Sequence, residues 1–230
     1  YQRAPTVSIA AANALAVCAR LSPGWESNIM KWFISHMENS KLSKELLGSY
    51  INVIRVLAQE NPKRHLRHIM KLSGILENQN SLADNARAAI VWLFGEIITV
   101  EFRICPDILR KLIPTFTFEG PETRCQILLL AAKLVSYDID SSKSNSPETP
   151  YSFETSRIGQ MYKAVSYLAE FDEDFDVRAR ARCNSSLFDS GKIEIATLLF
   201  QAPKPTPKLD LVSSSAIESK MPIYQADFTS

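Results

Sequence analysis

The chain has 230 residues, with 26 Lys and Arg against 25 Asp and Glu, so no global field draws it toward nucleic acid or anionic lipid. Hydrophobic residues at 46% and charged residues at 22% describe an ordinary globular composition, and seven glycines are too few for a turn-dense sheet fold. The four cysteines (Cys18, Cys105, Cys125, Cys183) form no CxxC pair and lie far in sequence from His36, His65 and His68, which leaves no zinc motif and no disulfide framework but the reduced thiols of a cytosolic protein.

Helical periodicity then dominates in chain order. "TVSIAAANALAVCARL" (6–21) carries Val7, Ala11, Ala14, Leu15 and Cys18 on one stripe and ends at Ser22-Pro23-Gly24. A second apolar helix is predicted at about 25–37. "SKELLGSYINVIRVLAQ" (43–59) follows, with Leu46, Tyr50, Val53, Ile54 and Leu57 in helical register and Asn61-Pro62 as its stop. "PKRHLRHIMKLSGIL" (62–76) opens on a proline suited to the first helical position. "SLADNARAAIVWLFGEII" (81–98) opens on Ser81 and Asp84 at capping-box spacing, and its 86–98 portion is apolar almost all round, as a helix covered on both sides must be. "CPDILRKLIPTF" and "PETRCQILLLAAKLVSYD" each carry an early proline. Residues 139–152, Ser- and Pro-rich without period, read as a flexible loop. Helices resume at about 153–170, through the Arg stretch, and at 192–200, and from Ala202 to Ser230 an extended Pro/Ser tail follows.

Ala/Leu-rich helices begin near residues 6, 43, 82 and 121, each followed by a shorter, more charged one. A period of about 37 to 39 built from helix pairs marks an all-α solenoid of HEAT or armadillo type, here spanning residues 1–201. The longest apolar runs, such as "AAIVWLF" and "ILLLAA", fall far short of the ~20 residues of a membrane span. Tyr1 in place of an initiator Met reads as a piece of a longer chain.

No phosphate loop, dinucleotide loop, zinc-protease helix or nucleophile elbow occurs, so neither catalysis nor a cofactor or metal is expected. The one concentrated basic helix places Arg64, Arg67, His68 and Lys71 on a shared face, either a solvated outer surface or a patch for anionic headgroups or an acidic partner. In "FDEDFDVRARARC" (171–183), helical spacing puts Val177, Ala181 and Phe188 in one direction and Arg178 and Arg182 opposite. Arg180 falls into the apolar arc and needs an acid from Asp138, Asp172, Asp174 or Asp176, an inter-repeat ion pair, while Asp174 or Asp176 can also cap the helix.

Five ordered blocks, "NARAAIVWLFGEI", "PDILRKLIPTF", "ETRCQILLLAAKLV", "FDEDFDVRARAR" and "FQAPKPTPKL", resemble the C-terminal half of a β-adaptin trunk, the large subunit of heterotetrameric vesicle-coat adaptors. The Trp92, Gly95, Glu96 core and the Asp176–Arg180 segment are shared across that family; the blocks look most like adaptor complex 3, with clathrin adaptors 1 and 2 as competitors. The resemblance implies a non-catalytic scaffold holding medium, small and second large subunits. It also implies an Arf-class GTPase and cargo tails as partners of the whole complex, and a cytoplasmic, peripheral place on Golgi, endosomal and coated-vesicle membranes, on a route to lysosome or vacuole. A solenoid binding peptides in its groove is the alternative outside the family, opposed by the absence of a regular Asn and Trp ladder. Ala179 stands where the family often has Asp, and "LDLVS" (209–213) departs from the clathrin box at Asp210, which argues against clathrin binding by this piece. Trp92 and Gly95 are assigned to helix packing, Gly95 admitting a close neighbour, and Glu96 joins Arg180, Asp174 and Asp176 as an inter-repeat pairing residue.

Overall fold

The computed structural model describes residues 5–39, 42–77, 82–145, 151–189 and 193–205. Ser81 and the tail beyond Pro205, with Leu209 to Ser213, lie outside the described residues. Among the described residues every regular element is helical: α1 (Pro5–Leu21), α2 (Pro23–Asn39), α3 (Lys44–Glu60), α4 (Pro62–Leu76), α5 (Asp84–Glu96), α6 (Cys105–Leu112), α7 (Pro121–Asn145), α8 (Arg157–Glu170), α9 (Phe175–Asp189) and α10 (Ile193–Gln201). Two 3₁₀ turns, Phe102–Ile104 and Ile113–Phe118, flank the short α6.

The helices pair and stack as the period requires. α1, α3, α5 and α7 begin at residues 5, 44, 84 and 121 and pack side by side as a first layer, which α9 extends. α2 and α4 pack together on the second layer, as do α6 and α8, and α10 closes the end against α7 and α9. One continuous core runs between the layers. α5 is its middle: Ala86 to Val91 and Leu93 to Gly95 are all buried, because α3, α4, α6 and α7 surround it.

Two expectations are corrected by the packing. Residues 139–145 are not loop but the last two turns of α7. Ile139 is fully buried and Asp140 accepts a hydrogen bond from Gln201 on α10, so tertiary contacts hold a polar sequence helical. The connection after α7 is anchored where it is described: Tyr151 Oη and Ser156 Oγ both donate to Asp138 Oδ2, at 2.7 and 2.5 Å. The expected cap at the start of α5 also differs. Ala83 occupies the N-cap, and Asp84 turns outward to cap the next repeat.

Candidate functional site

The basic surface of α4 is built against α2. Arg67 and Lys71 are exposed, whereas Arg64 reaches Glu26 of α2 at 3.4 Å. The fully buried His65 holds the same carboxylate, Nε2 to Oε1 2.9 Å. His68 is half-buried, and its pKa lies below the ordinary 6.5, first from burial and then from His65, Lys71 and Lys31. Lys31 of α2 thus adds to the cationic surface, a contribution that α4 alone could not show.

α9 overturns the assignment of its arginines. Arg180 is 54% exposed and pairs with Asp176 at 3.1 Å one turn back on the same helix, so it does not join two repeats. Arg178, expected in water, is half-buried: its Nη1 donates to the carbonyls of Asp172 (2.6 Å) and Glu173 (2.9 Å), and its guanidinium lies 5.8 Å from the Phe175 ring centre. The physical reason is the narrowness of the buried stripe. Only Val177, Ala181 and Phe188 of α9 are buried, so the apolar arc stops short of Arg180. Asp174 caps the helix, accepting from the backbone N–H of Asp176 and Val177. The pair that reaches across this corner belongs to Arg124 of α7 and Asp172 in the turn before α9, 3.1 Å apart and both largely buried.

Three polar seams join α5 to the unit that follows it. Arg87 donates through Nε and Nη2 to the two carboxylate oxygens of Glu119, at 2.7 and 2.6 Å, and through Nη1 to the Leu76 carbonyl at 2.9 Å. Both partners are buried. Asp84 accepts from the backbone N–H of Glu122 (2.9 Å) and Thr123 (3.1 Å) and from the Thr123 hydroxyl (2.5 Å), capping α7 across the repeat boundary. At the other end, buried Lys133 of α7 pairs with Glu96 and lies against Gly95, where an added Cβ would meet Lys133 Cδ at 3.4 Å. Trp92 is half-buried beneath the Arg55 guanidinium, 5.6 Å from its ring centre. Arg87 was not singled out in the sequence, where an arginine inside the run "NARAAIVWLF" was the available signal, and Asp84 was read only as a cap for its own helix.

The outer face of the first layer carries an open groove of about 610 Å³ floored by α3, α5, α7 and α9. Amides, carboxylates and the Arg55–Trp92 pair line it, a surface suited to recognition. Cys125 at its edge is pushed above the ordinary thiol range mainly by burial, and the buried Cys105 rises to about 12, so neither thiol is activated toward nucleophilic attack. Among the described residues no group of three or more His, Cys, Asp or Glu side chains could hold a metal ion, and no helix is long and apolar enough to cross a membrane.

Comparison with known proteins gives a consistent result. The model of the adaptin N terminal region matches residues 2–192. AP-3 complex subunit beta of Saccharomyces cerevisiae is 57% identical over 226 residues, covering 94% of this chain and 28% of that protein. Its counterpart from Eremothecium gossypii is 46% identical over 211 residues, covering 91% and 26%, and mouse AP-3 complex subunit beta-2 is 34% identical over 173 residues, covering 72% and 14%. This chain therefore spans just over a quarter of the first two relatives. A chain of the structure described as "Homology model of the full-length AP-3 complex in an intermediate open conformation" superposes with a TM-score of 0.68 at 56% identity, covering 83% of this chain and 32% of that one.

Proposed function

Because the chain belongs to the adaptin family, within the N-terminal region that the family model describes, we propose that it serves as a non-catalytic scaffold segment of the β subunit of a type 3 adaptor complex. The carrying observation is the 57% identity to a protein named AP-3 complex subunit beta, over nearly the whole of this chain. The stacked helix pairs agree with that role, since a solenoid offers long lateral surfaces to other subunits. In this proposal the segment forms the later half of the trunk and helps hold the medium, small and second large subunits. The assembled complex sorts cargo tails from Golgi or endosomal membranes toward the lysosome or vacuole, under an Arf-class GTPase, with the protein cytoplasmic and peripheral on those membranes. The cationic surface of Arg64, Arg67, His68 and Lys71 is its contact with anionic headgroups.

Affinity purification of the tagged full-length subunit, followed by mass spectrometry, tests the assignment. Recovery of the three other subunits of a type 3 adaptor supports it. Recovery of type 1 or type 2 subunits moves the protein to a clathrin adaptor, and recovery of no adaptor subunit overturns the proposal. For the cationic surface, flotation with phosphatidylserine vesicles should drop when Arg67 and Lys71 become Glu; unchanged flotation removes the lipid role.

A further inference from the structure

The groove on the first layer is not accounted for by a scaffold role. Side-chain amides enter it from three successive units: Asn52 on α3, Asn85 on α5 and Gln126 on α7. Their sequence spacings are 33 and 41 residues, which is why no ladder is visible before folding. Trp92, with Arg55 above it, lies among them. Arg55 Nε and Gln126 Oε1 are shut off from solvent and, among the described residues, have no hydrogen-bond partner. Buried polar groups are paired in the great majority of cases, so this floor has hydrogen-bonding capacity left over, and the exposed amides of Asn52 and Asn85 are what an outside segment reaches first.

A primary amide both donates and accepts, and so matches the alternating N–H and C=O of an extended backbone, which presents such groups at about 3.3 Å per residue. The protein itself shows this mode one turn beyond Arg55. There Gln59 Nε2 of α3 donates to the carbonyls of Lys204 (3.1 Å) and Pro205 (3.2 Å), in the extended stretch after α10. Reading carbonyls tolerates proline, which lacks only the N–H. Charge narrows the choice further. Glu122, Asp174 and Asp176 line one end, and among the described residues Arg180 pairs with Asp176, so that end stays acidic.

We infer that this groove binds an extended segment of a partner protein that carries prolines and lysines, of the same chemistry as Ala202–Pro205. Asn52, Asn85 and Gln126 take its backbone groups, and a lysine ammonium meets Glu122 and Asp174. The inference does not depend on which adaptor the chain joins.

Fluorescence anisotropy of the full chain with a fluorescein-labelled Gly-Pro-Lys-Pro-Lys-Pro-Gly peptide is the test. Asn52→Ala with Asn85→Ala removes two exposed amides, and Glu122→Lys reverses an exposed charge, so unchanged melting temperatures will certify both folds. Each variant should weaken binding roughly tenfold or more, and so should Glu in place of both lysines in the probe. No binding of the lysine probe, equal binding of the lysine and glutamate probes, or affinity unmoved by both variants overturns the inference.

Discussion

Arg87 is the charge most tightly held among the described residues. Its guanidinium spends both arms of the fork on Glu119 and a third donor on the Leu76 carbonyl, with neither side chain open to water. Removing one member leaves the other charged and unpaired, so Arg87→Met should lower unfolding stability by about 3–5 kcal/mol in urea denaturation. Adding Glu119→Leu should restore most of the loss, because the pair as a whole is worth little over well-packed apolar groups. The two arginines of α9 differ in a smaller way. Arg178→Ala gives up two charged hydrogen bonds at a partly covered site and should cost about 1–3 kcal/mol. Arg180→Ala gives up an exposed pair within one helix and should change stability by no more than about 0.5 kcal/mol. A larger effect at Arg180 than at Arg178 in the same denaturation series would reverse the assignment made from the geometry.

At the scale of elements, two helix starts were legible because proline marks them chemically: Pro62 and Pro121 both open helices. What sequence could not show is where a polar side chain spends its hydrogen bonds. Asp84 has capping-box spacing to Ser81, yet its carboxylate serves the N–H groups of α7, 38 and 39 residues ahead. The Ser-rich turns at 139–145 looked like loop because their composition is local, while the contacts that hold them helical, to α10, are not. The rule that a buried arginine demands a buried acid was sound, but it applied to Arg87 and not to Arg180; only the width of the buried stripe separates the two. The groove was invisible for a related reason, its amides being unequally spaced along the chain. The cross-repeat cap makes a specific claim. A Cβ at Gly120 would stand 2.2 Å from Asp84 Cγ, so Gly120→Ala must displace the capping carboxylate. Asp84→Ala should cost about 2 kcal/mol and Gly120→Ala a similar amount, but the double variant should cost little more than either. Additive losses in a double-mutant cycle would show that the two do not share one cap.

Across the whole molecule, helix pairs stacked in register make each unit depend on its neighbours, and the stretch after α10 adds a link of longer reach. Gln201 donates to the Ser136 carbonyl and the Asp140 carboxylate on α7, and four residues later Gln59 of α3 holds the carbonyls of Lys204 and Pro205. The stretch between links α7 to α3. Gln59→Ala with Gln201→Ala should speed hydrogen–deuterium exchange in the 199–204 segment while leaving the buried amides of α7 slow; no change in that segment would show that the link contributes nothing to order there. The link also decides how the protein bears load. Tension arriving through Pro205 meets α3 before it meets α10. The pull is then shared between α3 and α7, which hold the two ends of the stretch. Without that link, the same force would peel α10 away alone, as tape lifts from its end.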